Sequence, residues 1–125
     1  HRMDLSSSVL IKDNHLATVE FDIPLAVRRA RELAPAGMKI EVECETLDHV
    51  RAALDVGVDV IMFDNMQLAE LREGMKLVNR QAVTEASGGV TLDTVRSIAE
   101  TGVDWISIGA LTHSAPALNV GLDFD

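Results

Sequence analysis

The sequence predicts an α/β fold, a parallel-stranded partial (β/α) barrel of about five strand–helix units, and three observations point to it. Apolar runs of strand length alternate strictly with segments of helical spacing. Continuous apolar strands joined by helices imply a parallel sheet covered by helices. The triplet Gly57-Val58-Asp59 recurs as Gly102-Val103-Asp104 at the same place in two of these units. Finally, the stretch KIEVECE, Lys39 to Glu45, sets Ile40, Val42 and Cys44 on one face of a strand and Glu41, Glu43 and Glu45 on the other, because successive strand side chains alternate. A doubly wound sheet accommodates the first two observations but would press Glu41 and Glu43 into helices, where unpaired carboxylates are costly. A barrel points them into its lumen, so the acids favour the barrel. A complete barrel takes about 250 residues, so half to two-thirds of one is expected in this chain.

The elements follow in order. Val9-Leu10-Ile11-Lys12 reads as a short buried strand over 8–12 that ends in a charge and runs into a polar loop, Asp13-Asn14-His15. Asp22 is the N-cap expected for a helix with Pro24 in its first turn and Val27, Ala30, Leu33 and Ala34 as its apolar stripe, stopping before Pro35. After KIEVECE, Thr46 caps a second helix with Leu47, Val50, Ala53 and Leu54 inward and Gly57 as its stop. Val58 to Phe63 forms a strand that ends in Asp64, and Leu68, Leu71, Met75 and Val78 mark a third helix over 67–79. A strand over 82–86 runs into Ser87-Gly88-Gly89; Thr91 then caps a fourth helix with Leu92, Val95, Ile98 and Ala99 inward, and a last strand spans Val103 to Ile108.

Composition excludes several function classes. With 125 residues, 47% hydrophobic and 25% charged, the chain suits one soluble domain, residues 1–125, with a real core. A net charge of −9 argues against binding nucleic acid or anionic membrane, while leaving room for an anionic small molecule held by local cations. No apolar run reaches the roughly 18 residues of a membrane span, and no secretory leader is visible. The single cysteine, Cys44, rules out an internal disulfide framework, fits a reducing cytoplasmic compartment, and lies on the apolar face where a thiol packs as a small hydrophobe. The chain opens at His1 without an initiator methionine, so a fragment of a longer protein is expected.

In such folds chemistry gathers at the carboxyl ends of the strands. Those ends are Lys12, Glu43, Asp64, Ser87-Gly88-Gly89 and Gly109-Ala110: a cation, two acids and two small-residue turns, the composition of a phosphate and metal site. Glu43 and Asp64 offer the hard oxygens that Mg²⁺ takes together with substrate phosphates, a reading favoured because both end strands at equivalent depth; the alternative is pairing with Lys12 or local backbone bonds. Glu41 and Glu45 are less securely placed, and Glu85 is either another lumen acid or a strut for Lys12. Ser87-Gly88-Gly89 before a capped helix presents backbone N–H groups to an anion, or is an ordinary turn using the left-handed freedom of glycine. Gly109-Ala110 leaves the neighbouring space open. Of the histidines, His15 either locks its loop by hydrogen bonds, the reading preferred here, or acts directly in catalysis; His49 is solvent-exposed within its helix, and His113 is placed to touch a phosphate or support its loop. His1 and Arg2 mean nothing by spacing alone.

The stretches HRMDLSSSVLIKDNH, KIEVECET, IMFDN, EASGGV and TGVDWISIGALTHS, in this order and spacing, resemble the C-terminal part of the quinolinate phosphoribosyltransferases, also called nicotinate-nucleotide pyrophosphorylases (carboxylating). The resemblance covers nearly the whole chain. It implies a type II phosphoribosyltransferase barrel and an enzyme of NAD biosynthesis. That enzyme moves the phosphoribosyl group of phosphoribosyl pyrophosphate to quinolinate, with Mg²⁺, releasing CO₂ and pyrophosphate to give nicotinate mononucleotide. It further implies quinolinate carboxylates near His1, Arg2 and Lys12, ribose hydroxyls and metal near Glu43 and Asp64, and phosphate near Ser87, Gly88, Gly89, Ile108, Gly109 and Ala110, with His113 close by.

Extent is where the chain departs from that pattern. Family members carry an N-terminal sandwich domain and a first barrel strand with cations that clamp quinolinate, partly across a homodimer or higher oligomer, and neither stretch is expected here. The 125 residues alone are therefore expected to have little activity. Two rival readings stay open: a phosphoribosyltransferase-like protein associated with molybdenum transport, and a non-enzymatic truncated barrel module that self-associates through open sheet edges.

Overall fold

The computed structural model describes residues 8–17, 19 and 22–113. Five strands, β1 (Ser8–Ile11), β2 (Lys39–Cys44), β3 (Val60–Asp64), β4 (Val83–Ser87) and β5 (Trp105–Ile106), form one sheet in the order β1-β2-β3-β4-β5. Every pair is parallel. The helices are α1 (Asp13–Ala17), α2 (Ile23–Leu33), α3 (Leu47–Asp55), α4 (Leu68–Val78), α5 (Val95–Ala99) and α6 (Ala110–His113). Strand order decides between the two candidate architectures. A doubly wound sheet reverses its order at a switch point, whereas here each strand pairs with the next in sequence, as in a (β/α) barrel. Among the described residues the sheet is not closed.

Register assigns the faces. Leu10 pairs with Glu41, Glu41 with Val60, Glu43 with Met62, Met62 with Glu85, Asp64 with Ser87, and Glu85 with Trp105. These residues share one face, since side chains alternate along each strand. Ile11, Ile40, Val42, Cys44, Ile61, Phe63 and Ala86 occupy the other, and form the core with Ile23, Val27, Val50, Ala53, Leu71 and Val78 of the helices. The acids thus lie on the sheet face opposite the helix-packed core, as KIEVECE requires, and Glu41 and Glu85 are buried there at 1% and 0% exposure.

The caps follow from sequence. Asp22 Oδ1 accepts from the Leu25 N–H at 2.8 Å, and Thr46 Oγ1 accepts from the His49 N–H at 3.2 Å. Gln67 donates its N–H to Glu70 Oε2 at 3.2 Å at the start of α4. Gly74 lets α4 approach the sheet, because a Cβ there would meet the Phe63 ring at 2.5 Å. The repeated triplet has a shared task. Asp59 Oδ2 accepts from the Ile40 N–H at 2.8 Å, and Asp104 Oδ2 accepts from the Thr84 N–H and hydroxyl at 2.8 and 2.7 Å. Each aspartate therefore ties the amino-terminal edge of its own strand to the strand before it.

Five local expectations are corrected. The polar segment after β1 is a helical turn, α1, because His15 and Leu16 both donate their N–H to the Lys12 carbonyl at 2.9 Å. Leu33 is 86% exposed; the buried stripe of α2 runs through Ile23 and Val27, and Leu33 lies off it. The fourth helix starts only at Val95, and Leu92 is 93% exposed. Thr91 and Thr94 explain this, since each N–H donates to the other's hydroxyl, at 2.9 and 3.3 Å, closing a turn ahead of the helix. β5 is two residues long rather than six, and His49 is half-buried rather than exposed.

Candidate active site

The carboxyl ends of β3 and β4 meet through one pair of loops. Asp64 ends β3 directly beside Ser87, which ends β4. The next residue, Asn65, holds a left-handed backbone at φ 51 and donates its N–H to the Ser87 carbonyl at 2.9 Å. Its side-chain Nδ2 donates to Asp64 Oδ2 at 2.9 Å. Beyond Ser87, Gly88 and Gly89 both take positive φ, at 84 and 62, a conformation glycine adopts without steric cost. A Cβ on Gly88 would lie 2.5 Å from Asn65 Cγ, so the carboxamide and the glycine turn are in contact. Both glycines are exposed, and among the described residues neither N–H is taken up by a protein acceptor. A half-buried carboxylate thus stands beside a turn with two available N–H donors, an arrangement that can hold a sugar phosphate by its hydroxyls and its anion together.

Lys12 and Glu43 stand on the neighbouring strands. Ile11 pairs with Val42, so continuing the ladder by one step brings Lys12 beside Glu43. The Lys12 backbone is fixed by α1, where its N–H donates to His15 Nδ1 at 3.2 Å, so His15 does lock the loop. Glu43 is half-buried and lies two ladder steps below Asp64 on the adjacent strand. Burial pushes the Cys44 thiol up to about 12, and the Glu43 carboxylate beside it adds to the rise. Cys44 is buried at 0% exposure, which agrees with a packing role.

Glu85 Oε1 accepts from the Ser107 hydroxyl at 2.5 Å, which links β4 to the segment leading to Ile108, Gly109 and Ala110. Gly109 and Ala110 are exposed and lead into α6, and His113 is the last residue of that helix. His1 and Arg2 lie outside the described residues. Structure therefore brings together Asp64, Ser87, Gly88 and Gly89, with Glu43 one strand and Lys12 two strands away from Asp64. Asn65 is the contributor that sequence reading left out of the site. Its signal is an Asn directly after a strand-ending acid, since Asn enters the left-handed region more readily than other non-glycine residues.

A metal here fits one description only. Among the described residues no group of three His, Cys, Asp or Glu side chains could hold an ion. Glu43 and Asp64 can contribute one or two carboxylates to Mg²⁺ that keeps water and substrate oxygens as its other ligands. A cavity of about 1390 Å³ lies at the opposite, amino-terminal end of β3–β5. It is lined by Arg72, Lys76 and Arg80 but also by Asp59, Glu73, Glu100 and Asp104, so its charge does not favour an anion.

Comparison with known proteins gives the same picture. The family described as "Quinolinate phosphoribosyl transferase, C-terminal domain" matches residues 1–123. This chain belongs to that family. A protein of Bacillus subtilis (strain 168) called a probable nicotinate-nucleotide pyrophosphorylase (carboxylating) is 43% identical over 123 residues, covering 98% of this chain and 42% of the relative. One of the same name from Methanocaldococcus jannaschii is 41% identical over 130 residues, covering 98% and 45%. The crystal structure of the nicotinate-nucleotide pyrophosphorylase of Ehrlichia chaffeensis superposes with a TM-score of 0.85 at 42% identity, over 91% of this chain and 41% of that one. The chain thus spans rather under half the length of the relatives it matches. Among the described residues of this family member, no helix is long and apolar enough to cross a membrane.

Proposed function

We propose that the protein carrying these residues transfers the phosphoribosyl group of phosphoribosyl pyrophosphate to the ring nitrogen of quinolinate and releases CO₂, giving nicotinate mononucleotide and pyrophosphate in NAD biosynthesis. The observation that carries the reading is the contact between the Asp64 loop and the Gly88-Gly89 turn at the carboxyl end of adjacent strands, in a chain of this family. Asp64 and Glu43 accept hydrogen bonds from the ribose hydroxyls. As the bond to pyrophosphate breaks, positive charge develops on the sugar ring, and these two carboxylates stabilise it. Ser87, Gly88 and Gly89 hold the 5′-phosphate through backbone N–H groups, with Ile108, Gly109, Ala110 and His113 on its far side. Lys12 balances negative charge on the leaving group or on quinolinate, beside His1 and Arg2. Mg²⁺ held by Glu43 and Asp64 would neutralise pyrophosphate oxygens. After transfer, the ring carbon beside the quaternised nitrogen keeps the electron pair when its carboxylate departs as CO₂; the adjacent positive charge stabilises that carbanion, and the carbon then takes a proton from water.

A cytoplasmic homodimer or higher homo-oligomer completes the proposal; the single buried thiol suits a reducing compartment. The test is formation of nicotinate mononucleotide from both substrates and Mg²⁺ by the protein as encoded, in parent and Asp64→Asn forms. The parent should turn over, and the variant should lose about 100-fold or more in kcat/KM. Absence of product from the parent sinks the proposal. Phosphoribosyl pyrophosphate binding without any response to quinolinate would point instead to the molybdenum-associated relatives, which the names of the matched proteins do not favour.

A further inference from the structure

We infer that Asn65 is a positioning residue, whose carboxamide aims the Asp64 carboxylate and at the same time holds the Gly88-Gly89 turn in place. This rests on the function proposed above, and it assigns that site a member outside the acids, cations and glycines already considered. Three contacts of one side chain and its backbone carry it. The Asn65 N–H bonds to the Ser87 carbonyl at 2.9 Å, tying the loop after β3 to the end of β4. Nδ2 donates to Asp64 Oδ2 at 2.9 Å. A carboxylate only accepts, so the donor end of the amide must face Asp64. The rest of the carboxamide fills the space over Gly88, where a Cβ would lie 2.5 Å from Cγ and 2.8 Å from Nδ2.

The backbone supports a selected role. Asn65 sits at φ 51, a region that costs most side chains about 1–2 kcal/mol and that Asn and Gly tolerate best. Gly would satisfy that backbone more cheaply, so the side chain itself needs a purpose. Asp would satisfy it too, but would set a second negative charge against Asp64. Asn alone supplies a donor to the acid, a neutral filler for the turn and a backbone suited to the left-handed loop. Displacing a positioned carboxylate by about 1 Å costs on the order of 100-fold in rate, so a residue that touches no reacting atom can still govern the reaction through Asp64.

Asn65→Gly preserves the backbone and removes the carboxamide, and Asn65→Asp preserves shape and removes the donor. With the protein as encoded, Asn65→Gly should raise KM for phosphoribosyl pyrophosphate about tenfold and lower kcat about tenfold. KM for quinolinate should stay within about twofold and the thermal midpoint within about 2 °C. Asn65→Asp should be at least as impaired despite its closer shape. A second readout is independent of turnover: in NMR spectra of Asn65→Gly, the backbone amide signals of Gly88 and Gly89 should shift or broaden while those of Gly57 and Gly102, at the other end of the strands, hold. If the parent makes no nicotinate mononucleotide yet the glycine signals respond, the proposed function fails and the positioning of the turn stands. Unchanged glycine signals, or kinetics for both variants within twofold of an active parent, overturn the inference.

Discussion

Thr84→Val tests whether the repeated aspartates hold the sheet together. Thr84 is 1% exposed, and its hydroxyl donates to Asp104 Oδ2 at 2.7 Å while accepting from the Asp104 N–H at 3.0 Å. Valine keeps the shape and removes both bonds. A hydrogen bond to a charged group contributes about 1.5–3 kcal/mol, but Asp104 is exposed and water replaces part of what is lost. The expected loss is therefore about 1–2 kcal/mol near neutral pH, or roughly 4–8 °C in Tm for a domain of this size. The loss should also depend on pH. The Thr84 hydroxyl, and next its backbone N–H, hold the Asp104 carboxyl below its ordinary value of 3.8. A depressed folded value means the carboxylate stabilises the fold fully above about pH 5 and that the contribution is withdrawn as pH falls through 3.8 and below. Urea unfolding at pH 7 and at pH 3 measures both parts. The gap between parent and variant should be wider at pH 7. Equal midpoints at pH 7, or a gap that grows on acidification, would refute the reasoning.

Three further outcomes are expected. Gly88→Ala forces a β-carbon into the left-handed region at φ 84 and against Asn65, so it should cost about 1–2 kcal/mol in urea unfolding. It should also raise KM for phosphoribosyl pyrophosphate more than KM for quinolinate. Gly74→Ala gains about 1 kcal/mol of helix propensity but pushes a Cβ to 2.5 Å from the fully packed Phe63 ring. Overpacking of this kind costs about 1–3 kcal/mol, so a net loss near 1 kcal/mol should appear as a lower urea midpoint. Cys44, with its thiol near 12 and 0% exposure, should not react with a maleimide at pH 8 in the folded protein and should react at once in urea.

The architecture was legible because its determinants are local. Asp22 and Thr46 cap their helices through their own side chains, and the apolar runs of β2 and β3 name the face that meets the helices. The acidic alternation of KIEVECE selected the barrel, and the sequential strand order bears that out. What escaped depends on contacts between segments or on competing short bonds. Thr91 read as a cap, yet its partner is Thr94, which turns the chain before α5 begins. Leu33 counted as inward on a three-residue spacing, while the buried face of α2 follows the four-residue step from Ile23 to Val27. In the site, the acid and the glycines were visible as residue types at strand ends. Asn65 was not, because its role lies in reaching across to Gly88, some twenty positions on, and no periodicity records that reach.

The two ends of the strands divide stability from chemistry. At the amino-terminal ends Asp59 and Asp104 accept strand N–H groups and fix the ladder. At the carboxyl ends Asp64 and the Gly88-Gly89 turn instead leave oxygens and N–H groups facing outward, with Asn65 between them. Thr84 pairs with Ile61 of β3, four residues before Asn65, so the two positions lie about 13 Å apart along the strand direction. Substitutions more than about 10 Å apart without shared partners add within roughly 0.5 kcal/mol. The Thr84→Val and Asn65→Gly effects should therefore be additive, the first lowering stability with KM unchanged and the second the reverse. β4 links the two directly, carrying Thr84 near one end and Ser87 at the other. A coupling energy above about 1 kcal/mol in the double variant would mean that the strand transmits strain from its structural end to its ligand end, and the separation of tasks would fail.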